Sequence, residues 1–316
     1  MAEKGSISIH AQNIMPVIKK WLYSDKDIFL REIVSNGCDA IAKYKMLVAR
    51  GEKTAREAYR VDVVCDKDAG TLTVTDNGIG MTANEIKKYI CQVAFSGAEE
   101  FLKQYKPEEG DKGGIIGHFG LGFYSAFMVS KKVVIDTKSC EEGAQAVRWT
   151  SEDGMAYEIE DSDRAEEGTS VILYLNDEDK EFANMWTVRS VLEKYCAFMP
   201  VEIYVSEVVK PEEPKEGEEG EEKKEPKDVA PVLVNDVHPL WMKKPNECTD
   251  EEYREFYHNV FHDYDDPLFW IHLNAEFPFN LKGILYFPKL KNEFSSSEGV
   301  IKLYNNQVFV ADNIKE

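Results

Sequence analysis

The sequence predicts an α+β fold, a two-layer sandwich in which helices cover one face of a mixed β-sheet. The order of its segments is the first reason: a long helical stretch, a β-hairpin, more helical segments and then a meander of strands. The regular strand–helix alternation of a doubly wound sheet is missing, which is the second reason. With 43% hydrophobic residues among 316, the chain has enough apolar side chains to fill a packed core.

The predicted helices are marked by apolar spacing and by residues that favour helix ends. Apolar side chains recur at helical intervals from Ile28 to Ile41, Asp25 is a candidate N-cap, and Gly51 ends the helix. A second helix is predicted from Asn84 to about Val93, and a third near residues 98–104.

The predicted strands alternate between apolar and polar residues. Two short ones, Val61–Cys65 and Thr71–Thr75, flank an Asp-Ala-Gly turn and so form a hairpin. Later strand-like runs are "VVIDTK", "AVRWTS", "YEIED" and "TSVILYLN". Together these segments predict the sheet of the sandwich.

An acidic segment divides the chain. Residues 211–228 hold nine acids, four lysines and three prolines but no apolar side chain, so they cannot form a core and are predicted to be a flexible linker. The predicted domains are therefore residues 1–210 and 229–316. The second begins with a helix that Thr249 and Glu252 cap, followed by strand-like runs. It resembles the incomplete start of an α/β domain; its runs are "FWIHLNAEF", "GILYFPKL" and "IKLYNNQVFVAD".

Composition excludes several classes of function. The net charge of −20 disfavours nucleic-acid binding, because the phosphate backbone would be repelled. Six scattered cysteines show neither a CxxC pair nor zinc spacing, which indicates reduced thiols. The sequence has no signal-like N-terminal run and no stretch of 18 apolar residues, so a cytoplasmic protein without a membrane span is expected.

The run "GGIIGHFGLGFYSAF", residues 113–127, suggests a loop that something approaches closely, because glycine leaves the backbone uncovered. It lacks the Gly-Lys-Ser/Thr of a Walker A loop, and its glycine order does not fit a dinucleotide fold. Taken alone, it is equally consistent with a glycine-rich surface turn.

Two further motifs carry polar groups that a nucleotide needs. "DNGIGM" follows a strand, so Asp76 could accept a hydrogen bond from an exocyclic amine while Gly80 lets a flat ring approach; a simple type I′ turn is the alternative. Glu32, Asn36 and Asp39 share one helix face, where carboxylate and amide oxygens suit Mg²⁺ and a water; a solvated helix face is the alternative.

The ordered set of these motifs, E-x-x-x-N-x-x-D-A, D-x-G-x-G, G-x-x-G-x-G and then Gly168-Thr169, is similar to that of the GHKL, or Bergerat-fold, ATPases. The surrounding sequence resembles the 90-kDa heat-shock chaperones, especially their bacterial high-temperature protein G branch. The stretches that carry this resemblance are "LYSDKDIFLREIVSNGCDA", "DNGIGMT", "IGHFGLGFYSAFMV", "HPLWMK" and "FPFNLKGILYFPK".

The resemblance implies a Bergerat-fold domain that binds ATP or ADP with Mg²⁺, followed by the start of a middle domain. Glu32 would orient or deprotonate the attacking water, and Asn36 would ligate Mg²⁺. Asp76 would receive the adenine amino group, with Thr169 assisting through water. The nucleotide-binding residues implied are Asn36, Asp39, Ala40, Lys43, Asp76, Gly80, Met81, Gly117, His118, Phe119, Gly120, Leu121, Gly122, Phe123 and Thr169.

Some features depart from the family. Phe95 stands where a lysine is usual, Ala98 where a threonine is usual, and Tyr89 where an asparagine is common. The arginine that completes the family's site lies beyond Glu316, so ATP binding with weak hydrolysis is expected. The full-length family members act as homodimers on client proteins with co-chaperones, whereas this fragment is expected to be monomeric.

Two other functions remain possible from sequence. One is another GHKL ATPase, of the DNA-repair, topoisomerase or histidine-kinase type. The net charge and the lack of an upstream phosphoacceptor hairpin argue against these. The other is a non-enzymatic acidic scaffold in which the glycine loops are only turns.

Overall fold

The computed structural model describes residues 25–91, 122–209, 230–275, 281–289 and 300–312. The helix predicted near residues 98–104 and the acidic linker 211–228 lie outside these ranges. Two compact units are distinguished: Met1–Asn235 with Asn305–Phe309, and Asp236–Tyr304 with Val310–Glu316.

The first unit contains an eight-stranded mixed sheet in the order β5-β4-β3-β6-β2-β1-β7-β8. Neighbouring strands run antiparallel except β1 and β7, which are parallel. The strands are β1 Arg60–Asp66, β2 Thr71–Asp76, β3 Ser130–Lys138, β4 Val147–Ser151, β5 Glu158–Asp161, β6 Gly168–Leu175, β7 Glu202–Glu207 and β8 Val232–Leu233.

Two helices, α1 (Ile28–Ala49) and α2 (Met185–Cys196), pack on this sheet: α1 lies against β1 and β2, and α2 against β1 and β7. Shorter helical segments are Ala83–Glu85, Ile86–Ile90, Gly122–Met128 and Asp177–Ala183. The predicted α+β sandwich is therefore confirmed.

The core lies between these two layers. In β1, Val61, Val63 and Cys65 are fully buried, while the alternate residues are partly exposed, as expected for a strand with one covered face. Phe29 and Leu30 of α1 are also fully buried. Each such side chain contributes about 1.5–3 kcal/mol by leaving water, so the buried face of α1 holds it on the sheet.

The strand predictions are confirmed to within a few residues, but the start of α1 is different. The helix begins at Ile28 after Asp27, so the prediction of Asp25 as N-cap was wrong. Asp27 does not cap through its side chain either. Its carboxylate instead accepts hydrogen bonds from the Tyr195 hydroxyl at 2.9 Å and the Lys194 ammonium at 3.0 Å, which tie α1 to α2.

The helix predicted from Asn84 is found one residue earlier and has an unexpected form. Thr82 caps Ala83–Glu85 through a reciprocal pair of bonds with Glu85, and the chain then continues as a π-helix over Ile86–Ile90. The spacing of apolar residues could not predict this π-helix, because over so few residues its wider turn gives nearly the same apolar pattern as an α-helix.

The second unit contains α3 (Asp250–Phe261), with short helical turns at Leu240–Met242 and Pro245–Glu247 before it. The predicted capping box of α3 is confirmed: the Glu252 amide donates to Thr249 Oγ1 at 3.2 Å, and the Thr249 amide to Glu252 Oε2 at 2.8 Å. Strands β9 (Phe269–Ala275) and β10 (Leu281–Phe287) form an antiparallel pair.

The last predicted strand is divided in two. Residues 301–312 form β11 (Lys302–Asn305) and β12 (Val308–Asp312) on either side of a turn at Asn306 and Gln307. Both turn residues have positive φ, 49° and 65°, which breaks the extended conformation. Among the helices of the described residues, none has the length and apolar character needed to span a membrane.

Candidate functional site

The candidate site begins at Asp76, the last residue of β2. Its two neighbours in the sheet are Thr169 on β6 and Val61 on β1. Asp76 is 7% exposed, and α1 passes over it at Gly37, where an added Cβ would lie 3.2 Å from the Asp76 Cβ. Gly37 thus allows the helix backbone to approach the carboxylate closely.

The loop after Asp76 is held from both sides. On one side, the Ile79 amide donates to the Ala40 carbonyl of α1 at 3.2 Å. On the other, the Cys140 amide donates to the Ile79 carbonyl at 2.7 Å. At Gly80, φ is +61° and a Cβ would overlap the Lys138 carbonyl. Only glycine fits both conditions, and it lets the backbone of the loop pack directly against the end of β3.

A buried threonine joins the three chain segments that meet here. Thr137, near the end of β3, is fully buried, and its Oγ1 accepts a hydrogen bond from the Met81 amide at 3.0 Å. The same oxygen lies 3.0 Å from the Gly168 carbonyl oxygen and 2.9 Å from Thr169 Oγ1. It therefore connects the Asp76 loop with the start of β6.

The environment of Asp76 makes it an unusual carboxyl group. Burial raises its pKa to about 7, because the charged form loses its hydration. The amides of Gly78 and Thr169 and the charges of Arg56 and Arg164 act in the opposite direction, and the Gly78 amide lies 2.8 Å from Asp76 Oδ1. The carboxyl group is thus poised to bind a hydrogen-bond donor near neutral pH.

The predicted residues on α1 fall in two environments. Asp39 is buried at 6% exposure, whereas Asn36, one turn earlier, is exposed. Burial lowers the pKa of Lys43, while the carboxylates of Asp39 and Glu85 act to raise it. Ala40 contributes its backbone to the Asp76 loop, as described above. The predicted polar face of α1 is therefore partly buried beside that loop.

Glu32 lies at the other end of this helix face, against Gly122. Its Oε1 accepts from the Arg31 Nε at 3.1 Å. A Cβ on Gly122 would overlap Glu32 Oε2, so the absence of a side chain at Gly122 leaves room for that oxygen. The structure thus brings Glu32 to the start of the Gly122–Met128 segment.

The other predicted loop residues are only partly described. Phe123 is 8% exposed and its ring packs edge-on against Trp149, with 5.7 Å between centroids, so it anchors the segment in the core. Met81 is half-buried and packs on the core. Gly117, His118, Phe119, Gly120 and Leu121 lie outside the described residues, as do Phe95 and Ala98.

Sequence reasoning missed two residues of the site, Gly37 and Thr137. Thr137 continues the buried alternation of Val133 and Ile135 on β3, so its inward side could have been read from the period of two. A threonine at an inward position next to the motifs is a usable signal. Gly37 carried no such signal, because nothing in the sequence around it shows which segment its helix backbone approaches.

Two family models match the chain. The model described as "Histidine kinase-, DNA gyrase B-, and HSP90-like ATPase" matches residues 24–172, which include Glu32, Asp76 and Thr169. The model described as "Hsp90 protein" matches residues 209–316. Together they match most of the chain, and HSP90 is named in both descriptions.

Curated bacterial relatives agree with these models. The chain is 47% identical over 316 residues to the chaperone protein HtpG of Porphyromonas gingivalis, covering 100% of the chain and 44% of that relative. The chain is 48% identical over 314 residues to the chaperone protein HtpG of Bacteroides fragilis, covering 99% of the chain and 44% of that relative.

A more distant relative, the chaperone protein HtpG of Sulfurimonas denitrificans, is 33% identical over 321 residues, covering 99% of the chain and 50% of the relative. The chain thus spans about half the length of the curated relatives that it matches. The ordered motifs, the sheet that brings them together and these matches show that the chain belongs to the 90-kDa heat-shock protein chaperone family.

Proposed function

We propose that this chain binds ATP and ADP between α1 and the loop that follows β2, and that it hydrolyses ATP weakly. The observation that carries the proposal is the meeting of Asp76, Gly80 and Thr169, from two strands and one loop, beneath a helix with Glu32 and Asn36. This set offers an acceptor for an amine, a loop fixed beside that acceptor for a flat ring, and polar groups for phosphates.

The base-binding step depends on Asp76 and Gly80. The Asp76 carboxylate accepts a hydrogen bond from the amino group of adenine, while its Oδ1 stays bonded to the Gly78 amide. Gly80, four residues further on, lets the loop backbone pack directly on Lys138 and so fixes the loop against which the ring is proposed to lie. A hydrogen bond to a charged group contributes about 1.5–3 kcal/mol, enough to distinguish adenine from a base without that amine.

The phosphate end lies toward Glu32 and Gly122. The Gly122 and Phe123 amides, with those of Gly117–Leu121, would donate to phosphate oxygens as main-chain anion sites do. Arg31 holds one oxygen of Glu32, so the other, beside Gly122, is available to orient an attacking water and accept its proton. Such a reaction depends chiefly on positioning.

The residues present suit a magnesium ion in part. Mg²⁺ would neutralise charge that develops on the phosphates, and Asn36 is the residue proposed to bind it. The exposed amide of Asn36 on the helix face suits this role, because Mg²⁺ commonly takes one or two protein ligands alongside phosphate oxygens and water.

A role for the full-length protein is proposed from the relatives of the chain. We propose that ATP binding and hydrolysis by this region are coupled, in the full-length homodimer, to the folding of client proteins with co-chaperones. The family assignment supports this role, since the matched relatives are chaperone proteins. As an isolated fragment, the chain is proposed to be a cytoplasmic monomer that binds neither nucleic acid nor membrane.

Two matched variants test the nucleotide site. In wild type, Mg·ATP at about 100 times its Kd should stabilise the fold by about 2.7 kcal/mol, measured as a thermal shift. Asp76→Asn places an amide N–H where the adenine amine donates, so we expect at least roughly a 100-fold loss of ATP affinity by calorimetry. Glu32→Gln should keep the thermal shift but lower the hydrolysis rate by about 100-fold.

The outcomes separate the alternatives. If Asp76→Asn binds ATP as tightly as wild type while remaining folded, the assignment of the base pocket is wrong. If wild type itself shows neither heat nor thermal shift with Mg·ATP, the chain acts as a scaffold and not as an ATPase.

A further inference from the structure

The hydroxyl of Thr137 lies among the polar groups of the proposed base pocket, and it can donate only one hydrogen bond. Its oxygen accepts from the Met81 amide at 3.0 Å, so one lone pair is occupied. Two other oxygens lie within hydrogen-bond distance: the Gly168 carbonyl at 3.0 Å and Thr169 Oγ1 at 2.9 Å. Which of these two oxygens accepts the hydrogen bond from Thr137 decides whether Thr169 can act toward a ligand as a donor or only as an acceptor.

The Gly168 carbonyl settles the direction. A carbonyl oxygen only accepts, and two oxygens 3.0 Å apart that both present lone pairs would repel each other. The Thr137 proton therefore points to Gly168. The 2.9 Å contact between the two threonine hydroxyls also needs a donor. Because the Thr137 hydroxyl already donates to Gly168, the Thr169 hydroxyl must be the donor.

Thr169 consequently has no proton available for the pocket. Its hydroxyl donates to Thr137 and keeps only lone pairs for any other neighbour. Beside it in the sheet, the Asp76 carboxylate accepts hydrogen bonds from the amides of Gly78, at 2.8 Å to Oδ1, and of Thr169, and its remaining lone pairs can only accept. In its ionised form, this wall of the pocket presents acceptors only.

We propose that Thr137 is a positioning residue for base selection. By accepting the hydrogen bond that the Thr169 hydroxyl donates, it leaves Thr169 able only to accept from a ligand, so that the pocket favours an amino-bearing purine over a keto-bearing one. The inference rests on the proposed nucleotide site and adds a residue that touches no ligand. Thr169 acts on the amine either directly or through a water whose proton it accepts. A keto oxygen at the same place would meet lone pairs on both sides.

The test is a ratio of affinities. Calorimetry gives the Kd of ADP and of IDP, whose base has a keto oxygen where adenine has its amino group. Wild type should prefer ADP. Thr137→Val keeps the shape but removes the acceptor for Thr169, whose proton can then turn toward the ligand; the preference for ADP should fall by about tenfold, the effect of one ordinary hydrogen bond. Thr137→Ser keeps the hydroxyl and should keep the wild-type ratio.

A second variant shows whether Thr137 acts through Thr169. Thr169→Val should lower the preference by a similar factor, and adding Thr137→Val to it should change the ratio no further, because the two act as one unit. A merely structural role of Thr137 would weaken ADP and IDP equally, leave the ratio intact and so overturn the inference. An unchanged ratio in Thr169→Val would overturn it as well.

Folding of the variants is checked by thermal unfolding. If Thr137→Val does not fold, Thr137→Cys takes its place: a thiol is a weaker acceptor, so the ratio should fall by a smaller factor, and an unchanged ratio would count against the inference. A wild type that binds neither ADP nor IDP would refute the proposed function. A wild type that prefers ADP, with variants that keep the same preference, would refute only the role of Thr137.

Discussion

The two ends of the candidate site are held by different kinds of contact. At the end proposed to bind the base (the base end), Asp76, Thr137 and Thr169 are each at most 7% exposed, and their polar atoms bond to the loop after β2 and to one another across β3 and β6. At the end proposed for hydrolysis (the hydrolysis end), Asn36 is exposed and the Glu32 side chain is 22% exposed.

The ion pair of Glu32 is with Arg31, its neighbour in the same helix. Such a partly exposed pair contributes little to stability, typically less than about 1 kcal/mol. Among the described residues, hydrogen bonds within the fold therefore fix the base end, whereas the more exposed side chains of Glu32 and Asn36 are less constrained. Binding and hydrolysis should respond separately to mutation, and the following predictions test that difference.

The largest expected effect is at Gly80. Gly80→Ala adds the cost of a positive φ to an overlap with the Lys138 carbonyl, so the free energy of unfolding should fall by about 3 kcal/mol and ADP affinity should be lost. Gly143 is the matched control, because it also has positive φ, +75°, but nothing lies near its added Cβ. Gly143→Ala should cost only about 1 kcal/mol and leave ADP binding unchanged.

Denaturant unfolding and calorimetry measure both quantities. Equal losses of stability in the two variants would mean that the close approach to Lys138 is not important. The base end would then be less constrained than the contacts of Gly80 indicate.

The next effect is a pH dependence that belongs to the base end alone. The pKa of Asp76 is raised to about 7, and in the proposed site only its ionised form would accept the adenine amine fully. As pH falls below about 7, the carboxyl group protonates and affinity should decrease, by up to about tenfold per pH unit. Adenosine is the suitable ligand, because it has no phosphate that titrates in this range.

The same shift has an opposite consequence for the free protein. Between pH 3.8 and about 7 the folded state holds a proton on Asp76 that the unfolded chain has released. The contribution of Asp76 to stability therefore decreases as pH rises through this window. Asp76→Asn should abolish both trends; adenosine affinity that is flat from pH 5 to 8 in wild type would contradict the raised pKa.

The smallest effect is expected in the second unit. Thr249→Ala removes the side-chain cap of α3, which should lower the stability of that unit by about 1 kcal/mol. ADP affinity should not change, because the hydrogen bonds described for Thr249 are with Glu252 and Tyr253, both in α3 itself. Thr249→Ser, which keeps the hydroxyl, is the control for unfolding. A fall in ADP affinity in Thr249→Ala would show that the base end is less self-contained than its contacts suggest.

Much of the fold was predictable because its signals are local. The alternation of Val61, Val63 and Cys65 predicted β1, and the Thr249 and Glu252 pair predicted the start of α3. The start of α1 was not predictable, because Asp27 bonds to Lys194 and Tyr195 far along the chain and does not cap its own helix. The turn at Asn306 was missed because neither Asn306 nor Gln307 is a glycine.

The sequence could suggest which residues belong to the candidate site, but not how they are arranged in space. Asp76 and Gly80 were proposed from their position after a strand, and Glu32 from its helix face. That Gly122 lies against Glu32 follows only from the packing of distant segments. The roles proposed for these residues stay predictions until the variants are measured.

The sequence by itself determined the order of helices and strands, the caps and the motifs, because patterns of two and 3.6 residues and the conformational freedom of glycine act over a few neighbouring residues. The tertiary structure alone decided the pKa of Asp76 and the contacts of the Thr137 hydroxyl. Both depend on burial and on oxygen atoms that β2, β3 and β6 bring together from separate parts of the chain.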